Sequence, residues 1–327
     1  MAITNAPVGR IEIETRGSVL IARLEGGPMG MFGEGTASDL YALLDRVESD
    51  TSIDAVVFIG THPGRFVGHA DVRWLQEGGK ATPKMGRGVA SAVCRTATAA
   101  RKTPGMAAAA SVTPLHGAIE LDRLHDAFMR MNKCGVIFIA ALNGSALGLG
   151  SEFAQACDMR LMADGDYFIG QPEVLLGFNP GGGGTQRLPR LVGNHRALMI
   201  MLEGRPLAPA KALEIGYIDE IVAPEKLLDR AIEMAGYLGK RTRGAREAIK
   251  RSVYIGGSES LEEGLHIERT EFLKVLPTKD AQEIMLGYMA ATDRDGDLPL
   301  YQPETFKASL AGGRFPISTT GSKGSSK

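Results

Sequence analysis

Cysteine is scarce in this 327-residue chain, which has only Cys94, Cys134 and Cys157. None is spaced as a zinc pair or a Cys-x-x-Cys motif. The pattern therefore offers no disulfide scaffold, and it fits a reducing, cytoplasmic compartment. Aromatic residues are also few, at 6%, with one tryptophan. Neither sign of charge prevails: 37 Lys and Arg stand against 38 Asp and Glu, a net charge of −1. That balance gives no general electrostatic reason to bind nucleic acid or an anionic membrane. Long apolar runs are missing too. The longest clean one, Val136 to Leu142, is far too short to span a bilayer, and the opening MAITNAPVGR lacks the apolar core of a secretory signal. Secreted, membrane, fibrous and nucleic-acid-coating classes are disfavoured, and a soluble cytoplasmic enzyme is the expectation.

What is abundant is glycine, with 42 residues, which implies many turns and close backbone approaches. The first half of the chain alternates strand and helix patterns. Ile11–Thr15 and Val19–Leu24 read as a hairpin pair around Arg16-Gly17-Ser18. Leu40, Leu43, Leu44 and Val47 fall at helical spacing, with Thr36 as the expected N-cap and Asp39 three residues later. Ala55–Ile59, Val136–Leu142 and Asp158–Ala163 read as buried strands, and Tyr167–Ile169 as a short one. Between them Leu124, Phe128 and Met131 mark a helix face. The order predicts an α/β architecture with largely parallel pairing. After Val222 strand signal almost ceases, and helical patterns recur at Glu225–Leu238, Arg243–Arg251 and Glu259–Phe272. The Gly-, Ser- and Lys-rich end has little to bury.

One stretch differs by charge. Gly78 to Ile119 carries Lys80, Lys84, Arg87, Arg95, Arg101 and Lys102 with no Asp or Glu, and also eleven alanines and three prolines. It reads either as a solvated, partly helical surface excursion or as an anion-facing flap at a substrate entrance.

The densest chemical signal runs from Ala140 to Gly193. A buried strand enters the turn dipeptide Asn143-Gly144, followed by small residues through Ser151 and then Glu152, expected to open a helix. Glycines permit close backbone approach to a ligand, and unpaired N–H groups at a helix start can hold a developing oxyanion. A second carboxylate, Glu173, lies in Gly170-Gln171-Pro172-Glu173. Two carboxylates on neighbouring loops are raw material for proton transfer. The Gly181–Gly184 run lacks the Gly-Lys-Ser/Thr ending of a phosphate loop and reads as tight chain packing. No ligand spacing for a metal is evident.

These residues carry a resemblance. Asn143-Gly144, the small-residue run into Glu152, Cys157-Asp158, Gly170–Glu173 and Pro180–Arg190 are similar to the enoyl-CoA hydratase/isomerase (crotonase) family. Phe66–Asp71 resembles that family's first oxyanion loop, and Leu202–Arg205 with Ala210, Ala212, Gly216 and Ile218 the segment beyond the core. The resemblance implies a crotonase-like spiral of repeated ββα units with a helical C-terminal region. It implies a core over residues 1–224 interrupted by an insertion at about 78–119, a helical trimerisation region over 225–300, and an extended or disordered tail over 301–327. It further implies an acyl-CoA thioester substrate, with coenzyme A as part of that substrate and no separate cofactor, and a homotrimer or dimer of trimers.

By matching position, the resemblance assigns the oxyanion hole to the N–H groups of Ala70 and Leu149, and substrate contacts to Gly68, His69, Asp71 and Gly148. Glu152 is the implied activator of water and Glu173 the residue exchanging the α-carbon proton. Retention of both carboxylates points to an enoyl-CoA hydratase. Other crotonase-fold reactions (double-bond isomerisation, or hydrolysis of acyl-CoA or β-diketones) and a non-catalytic assembly subunit remain as alternatives. Several positions depart from the family pattern, among them Glu25-Gly26-Gly27, which lacks the usual Asn and basic residues, and Met289–Asp293, where a basic ending is usual. His69 stands where a small residue is usual, and either points away into a loop hydrogen bond or meets the substrate; Leu149 stands where glycine is usual.

Overall fold

The computed structural model describes residues 9–110, 113 and 115–316. The described strands are β1 (Arg10–Arg16), β2 (Val19–Glu25), β3 (Ala55–Gly60), β4 (Arg65–Val67), β5 (Ile137–Leu142), β6 (Ser145–Leu147), β7 (Met159–Ala163), β8 (Ile169–Gly170) and β9 (Glu220–Val222). They form a six-stranded sheet in the order β1-β2-β3-β5-β7-β9 and a three-stranded sheet in the order β4-β6-β8. β1 and β2 make an antiparallel hairpin, whereas β2–β3, β5–β7, β7–β9, β4–β6 and β6–β8 pair in parallel. From β3 onward each repeat sends its first strand to the large sheet and its second to the small one. β3 and β5 are buried along their whole length, as their uninterrupted apolar sequences require.

Helix α1 (Glu34–Ser49) completes the first repeat and buries Leu40, Leu43, Leu44 and Val47. Its N-cap is Gly33, not Thr36, which lies inside the helix and is buried. Asp39, expected to support that cap, instead accepts the Ile11 N–H at 2.8 Å. The second repeat is extended by α2 (Val72–Ala81), α3 (Arg87–Lys102), α4 (Met106–Ala109) and α5 (His116–Lys133). Ala97 and Ala100 of α3 pack with Ile119 of α5 as a small buried cluster; alanine lets the helices approach closely.

Helix α6 (Leu149–Ala156) closes the third repeat, and every one of its residues is buried. It opens at Leu149, three residues before the expected start, so Glu152 falls within its first turn. Phe153 on this helix is a hub for aromatic packing. Its ring centroid lies 4.8 Å from that of Phe58, 5.7 Å from Phe128 and 6.0 Å from both Phe32 and Phe66. Asn143, before β6, ties adjacent repeats: its Oδ1 accepts the Gly60 N–H and its Nδ2 donates to the His62 carbonyl, both at 2.9 Å. Helices α7 (Gly184–Val192), α8 (Asn194–Glu203) and α9 (Pro209–Glu214) follow.

The chain divides into two compact units, one covering residues up to Asn132 and Phe138–Ala235, the other Lys133–Ile137 and the chain from Gly236 on. After α10 (Leu227–Gly239) the second unit holds α11 (Arg243–Tyr254), α12 (Leu261–Val275), α13 (Lys279–Asp295) and α14 (Pro303–Gly312). Ser260 and Thr278 cap α12 and α13 through their hydroxyls. Lys250 of α11 is buried and donates to the Val136 carbonyl at 2.6 Å. Within the segment expected to be an extended or disordered tail from residue 301, Pro303–Gly312 forms α14 instead, with proline in its first turn and Gly313 left-handed at its end, the favourable placement of both residue types. Residues 317–327, read as part of the tail, lie outside the described residues.

Gly150 shows why glycine is needed on α6: a Cβ there would run into the Val67 carbonyl oxygen of β4. Gly150→Ala should therefore lower the unfolding free energy by about 1–3 kcal/mol through overpacking. Urea denaturation checks this, and an unchanged midpoint would rule out the close contact.

Candidate active site

The first unit contains a cavity of about 590 Å³, whose walls include His69, Ala70, Gly148, Leu149, Glu152 and Glu173. Gly148 has φ 52°, and a Cβ on it would stand 3.2 Å from Glu173 Oε1. A side chain would thus be strained and would crowd the carboxylate. The left-handed turn delivers the chain into α6, with Leu149 as its first residue. The Leu149 N–H accordingly stands outside the i→i−4 ladder. Its bulky side chain finds room because Gly182 has none: a Cβ at Gly182 would lie 2.6 Å from Leu149 Cδ1.

Ala70 is oriented by its neighbours. The His69 carbonyl accepts from Phe32 N at 2.9 Å, and Asp71 N donates to the Phe32 carbonyl at 3.2 Å. Successive residues of extended chain point their N–H groups to opposite sides, so that of Ala70 is directed away from Phe32. His69 lines the cavity while its Nδ1 lies 2.6 Å from the Ala70 carbonyl. Two positions assigned to substrate contact are not among the cavity walls. Gly68 is buried, with its N–H bonded to the Gly30 carbonyl at 2.7 Å and its carbonyl to Leu147 N at 3.1 Å. Asp71 caps α2, accepting from Arg73 N at 2.9 Å. Both take part in holding the fold.

The carboxylates have different surroundings. Glu152 is 2% exposed, and its Oε1 accepts from Gly182 N at 2.8 Å and Gly184 N at 2.7 Å. Burial pushes its carboxyl above the usual range, while the Gly184 and Gly182 N–H groups and nearby Arg187 pull it back. Glu173 is 7% exposed and is pushed up to about 7, chiefly by burial and further by the Glu152 charge; its own backbone N–H opposes the rise. With its amide nitrogen toward Glu173, Gln171 donates to Oε1 at 2.8 Å and to Oε2 at 3.1 Å, and accepts from Gln155 Nε2 at 2.8 Å. Gln155 reaches the Tyr217 hydroxyl at 3.1 Å, and Ser151 Oγ lies 2.7 Å from that hydroxyl.

This buried chain behind Glu173 escaped sequence reasoning. Ser151 and Gln155 do stand four apart on one helix, and Gln171 is two residues from Glu173, which are usable signals. Tyr217 gives none. Nor does His125 on α5, whose Nε2 lies 2.6 Å from the Gly181 carbonyl and so holds the loop carrying the Glu152 donors. Arg187 is placed by Asn132 Oδ1 at 3.2 Å and by the Phe128 ring at 5.6 Å.

The basic stretch meets the cavity through its apolar side chains. Its apolar residues line the cavity, but none of Lys80, Lys84, Arg87, Arg95, Arg101 and Lys102 does. Arg101 instead pairs with Asp122 at 2.5 Å and Asp126 at 3.0 Å. Among the described residues no group of three or more His, Cys, Asp or Glu side chains could hold a metal. No described helix is long and apolar enough to cross a membrane.

Comparison with solved structures defines the class first. The chain superposes on an enoyl-CoA hydratase from Geobacillus kaustophilus HTA426 with a TM-score of 0.70 and 23% identity, covering 88% of this chain and 97% of that one. For an enoyl-CoA hydratase/isomerase from Cupriavidus metallidurans CH34 the values are 0.70, 20%, 87% and 94%. The fold is the crotonase fold. Residues 106–294, more than half of the chain, match the enoyl-CoA hydratase/isomerase family, and the protein belongs to that family. Curated relatives include the fatty acid oxidation complex subunit alpha of Shewanella amazonensis SB2B, 35% identical over 208 residues, 63% of this chain and 25% of that protein. The same subunit of Idiomarina loihiensis L2-TR is 33% identical over 234 residues, 71% of this chain and 28% of that protein. The chain thus spans about a quarter of the length of these two relatives.

The raised Glu173 carboxyl carries a signature in stability. From its ordinary value of 4.5 up to about 7, the unfolded chain has lost this proton while the native state keeps it. Native protein binds more protons in that window, so its contribution to the unfolding free energy falls as pH rises. Glu173→Gln should remove that slope. Urea unfolding of both proteins across the window tests this, and parallel pH curves would contradict a raised carboxyl.

Proposed function

We propose that the protein is an enoyl-CoA hydratase, a lyase that adds water across the double bond next to a thioester carbonyl. The observation that carries the reading is the pair of buried carboxylates on one cavity, one held by two N–H groups and the other raised to about 7. Glu152 takes a proton from water as its oxygen attacks the β-carbon. The electron pair of the double bond moves through the α-carbon to the thioester oxygen, and the N–H groups of Ala70 and Leu149 receive the enolate. Glu173, substantially protonated near neutrality, then gives its proton to the α-carbon. The proton on Glu152 passes to Glu173 through solvent to restore both groups. A carboxyl near the working pH can both give and take a proton efficiently.

Retention of both carboxylates favours hydration over the alternatives. Coenzyme A enters as part of the substrate, and no separate cofactor has a role in these steps. We also propose self-association as a homotrimer or dimer of trimers. Exposed Ile249, Val253, Leu273 and Leu286 on helices of the second unit support this, because such apolar side chains mark interaction surfaces.

Glu152→Gln and Glu173→Gln should each reduce hydration by roughly 10²–10⁴-fold. Loss of enoyl-thioester absorbance, followed with crotonyl-CoA and longer enoyl-CoA substrates, measures this. Full activity in either variant would sink the assigned roles.

A further inference from the structure

The stretch marked in the sequence by its positive charge contributes to the cavity through carbon. Trp74 and Leu75 of α2, Met85 of the following loop, Val93 of α3, and Leu121 and Leu124 of α5 form an apolar wall on the cavity that holds both carboxylates. Leu75 is 40% exposed and Leu121 43%, so both present apolar surface toward that space. Leu115 and Ala118 also line the cavity, and they pack against the buried cluster of Ala97, Ala100 and Ile119. At roughly 30 Å³ per heavy atom, taken from the volume share of a water molecule, the five heavy atoms of a crotonyl group need roughly 150 Å³. The cavity offers about 590 Å³, within the roughly 300–1,000 Å³ of pockets that enclose much larger apolar ligands.

From this wall we propose that the segment from α2 to α5 is an acyl-group specificity element, and that the substrate is a thioester with a large apolar acyl group, octenoyl or larger. The inference rests on the thioester reading above and names its substrate class. Each added methylene buried against the wall tightens binding about fourfold.

Calorimetric binding of saturated acyl-CoA compounds to the full chain tests the wall without requiring any reaction. Octanoyl-CoA, with four more methylenes, should bind roughly 250-fold more tightly than butyryl-CoA. Phenylpropanoyl-CoA, run alongside, shows whether the wall prefers an aryl or a straight chain. Val93→Trp, which fills the cavity, and Trp74→Ala, which removes part of the wall, should each lower the octanoyl-to-butyryl affinity ratio about tenfold or more. Equal affinity for octanoyl- and butyryl-CoA would overturn the inference, as would an unchanged ratio in both variants. Hydration confined to crotonyl-CoA would also overturn it while leaving the hydratase reading intact. A retained affinity gradient without hydration of any enoyl-CoA would overturn the hydratase reading alone.

Discussion

A carboxylate with almost no contact with water must find donors within the protein, and Glu152 finds them in the N–H groups of Gly182 and Gly184. Much of the surrounding structure serves that one requirement. The donors lie on a glycine run tethered by His125 at Gly181, and the acceptor lies in the first turn of a fully buried helix. Leaving a buried carboxylate unpaired would cost several kcal/mol. Loop and helix are therefore bound to each other's position. The aromatic hub at Phe153, the next residue, fixes the helix from its other side.

The same tight construction separates the two acids chemically. Burial pushes both upward, but at Glu152 backbone donors and the nearby positive charge of Arg187 oppose it, whereas Glu173 also feels the charge of Glu152. Like charges sharing a cavity resist joint ionisation. The amides of Gln171 and Gln155 continue from Glu173 to Tyr217 and Ser151, so Glu173 is oriented by groups from three separate parts of the chain. Around this polar centre the cavity walls are mainly apolar, which keeps the local dielectric low and strengthens each of these effects.

Much of the fold was legible along the chain because it is built from strands buried on both faces. Ala55–Ile59 and Val136–Leu142 could hardly be anything else, and they became β3 and β5. Turn chemistry was legible in part. Asn143-Gly144 does bend the chain between β5 and β6, but the Asn143 side-chain bonds to Gly60 and His62 depend on a partner repeat about eighty residues away in sequence. Thr36 misled because a good capping side chain says nothing of where tertiary packing begins the helix. The basic stretch shows a related limit of local pattern. Net charge averages over all faces of a helix, while cavity lining depends on which face turns inward.

In the site itself the sequence by itself determined the chemistry available: two carboxylates, glycines beside each, and a small-residue approach to a helix start. Those are local properties of residue type and order. Only the tertiary structure decided that Gly68 and Asp71 bond within the fold, that Leu149 fits against the absent side chain of Gly182, and that Tyr217 and His125 support the acids. It also decided that the unusual insertion contributes an apolar wall rather than charge to the cavity. The reason is the same throughout. Burial, hydrogen-bond partners and the facing of a helix arise from contacts between segments distant in sequence, and no local pattern encodes them.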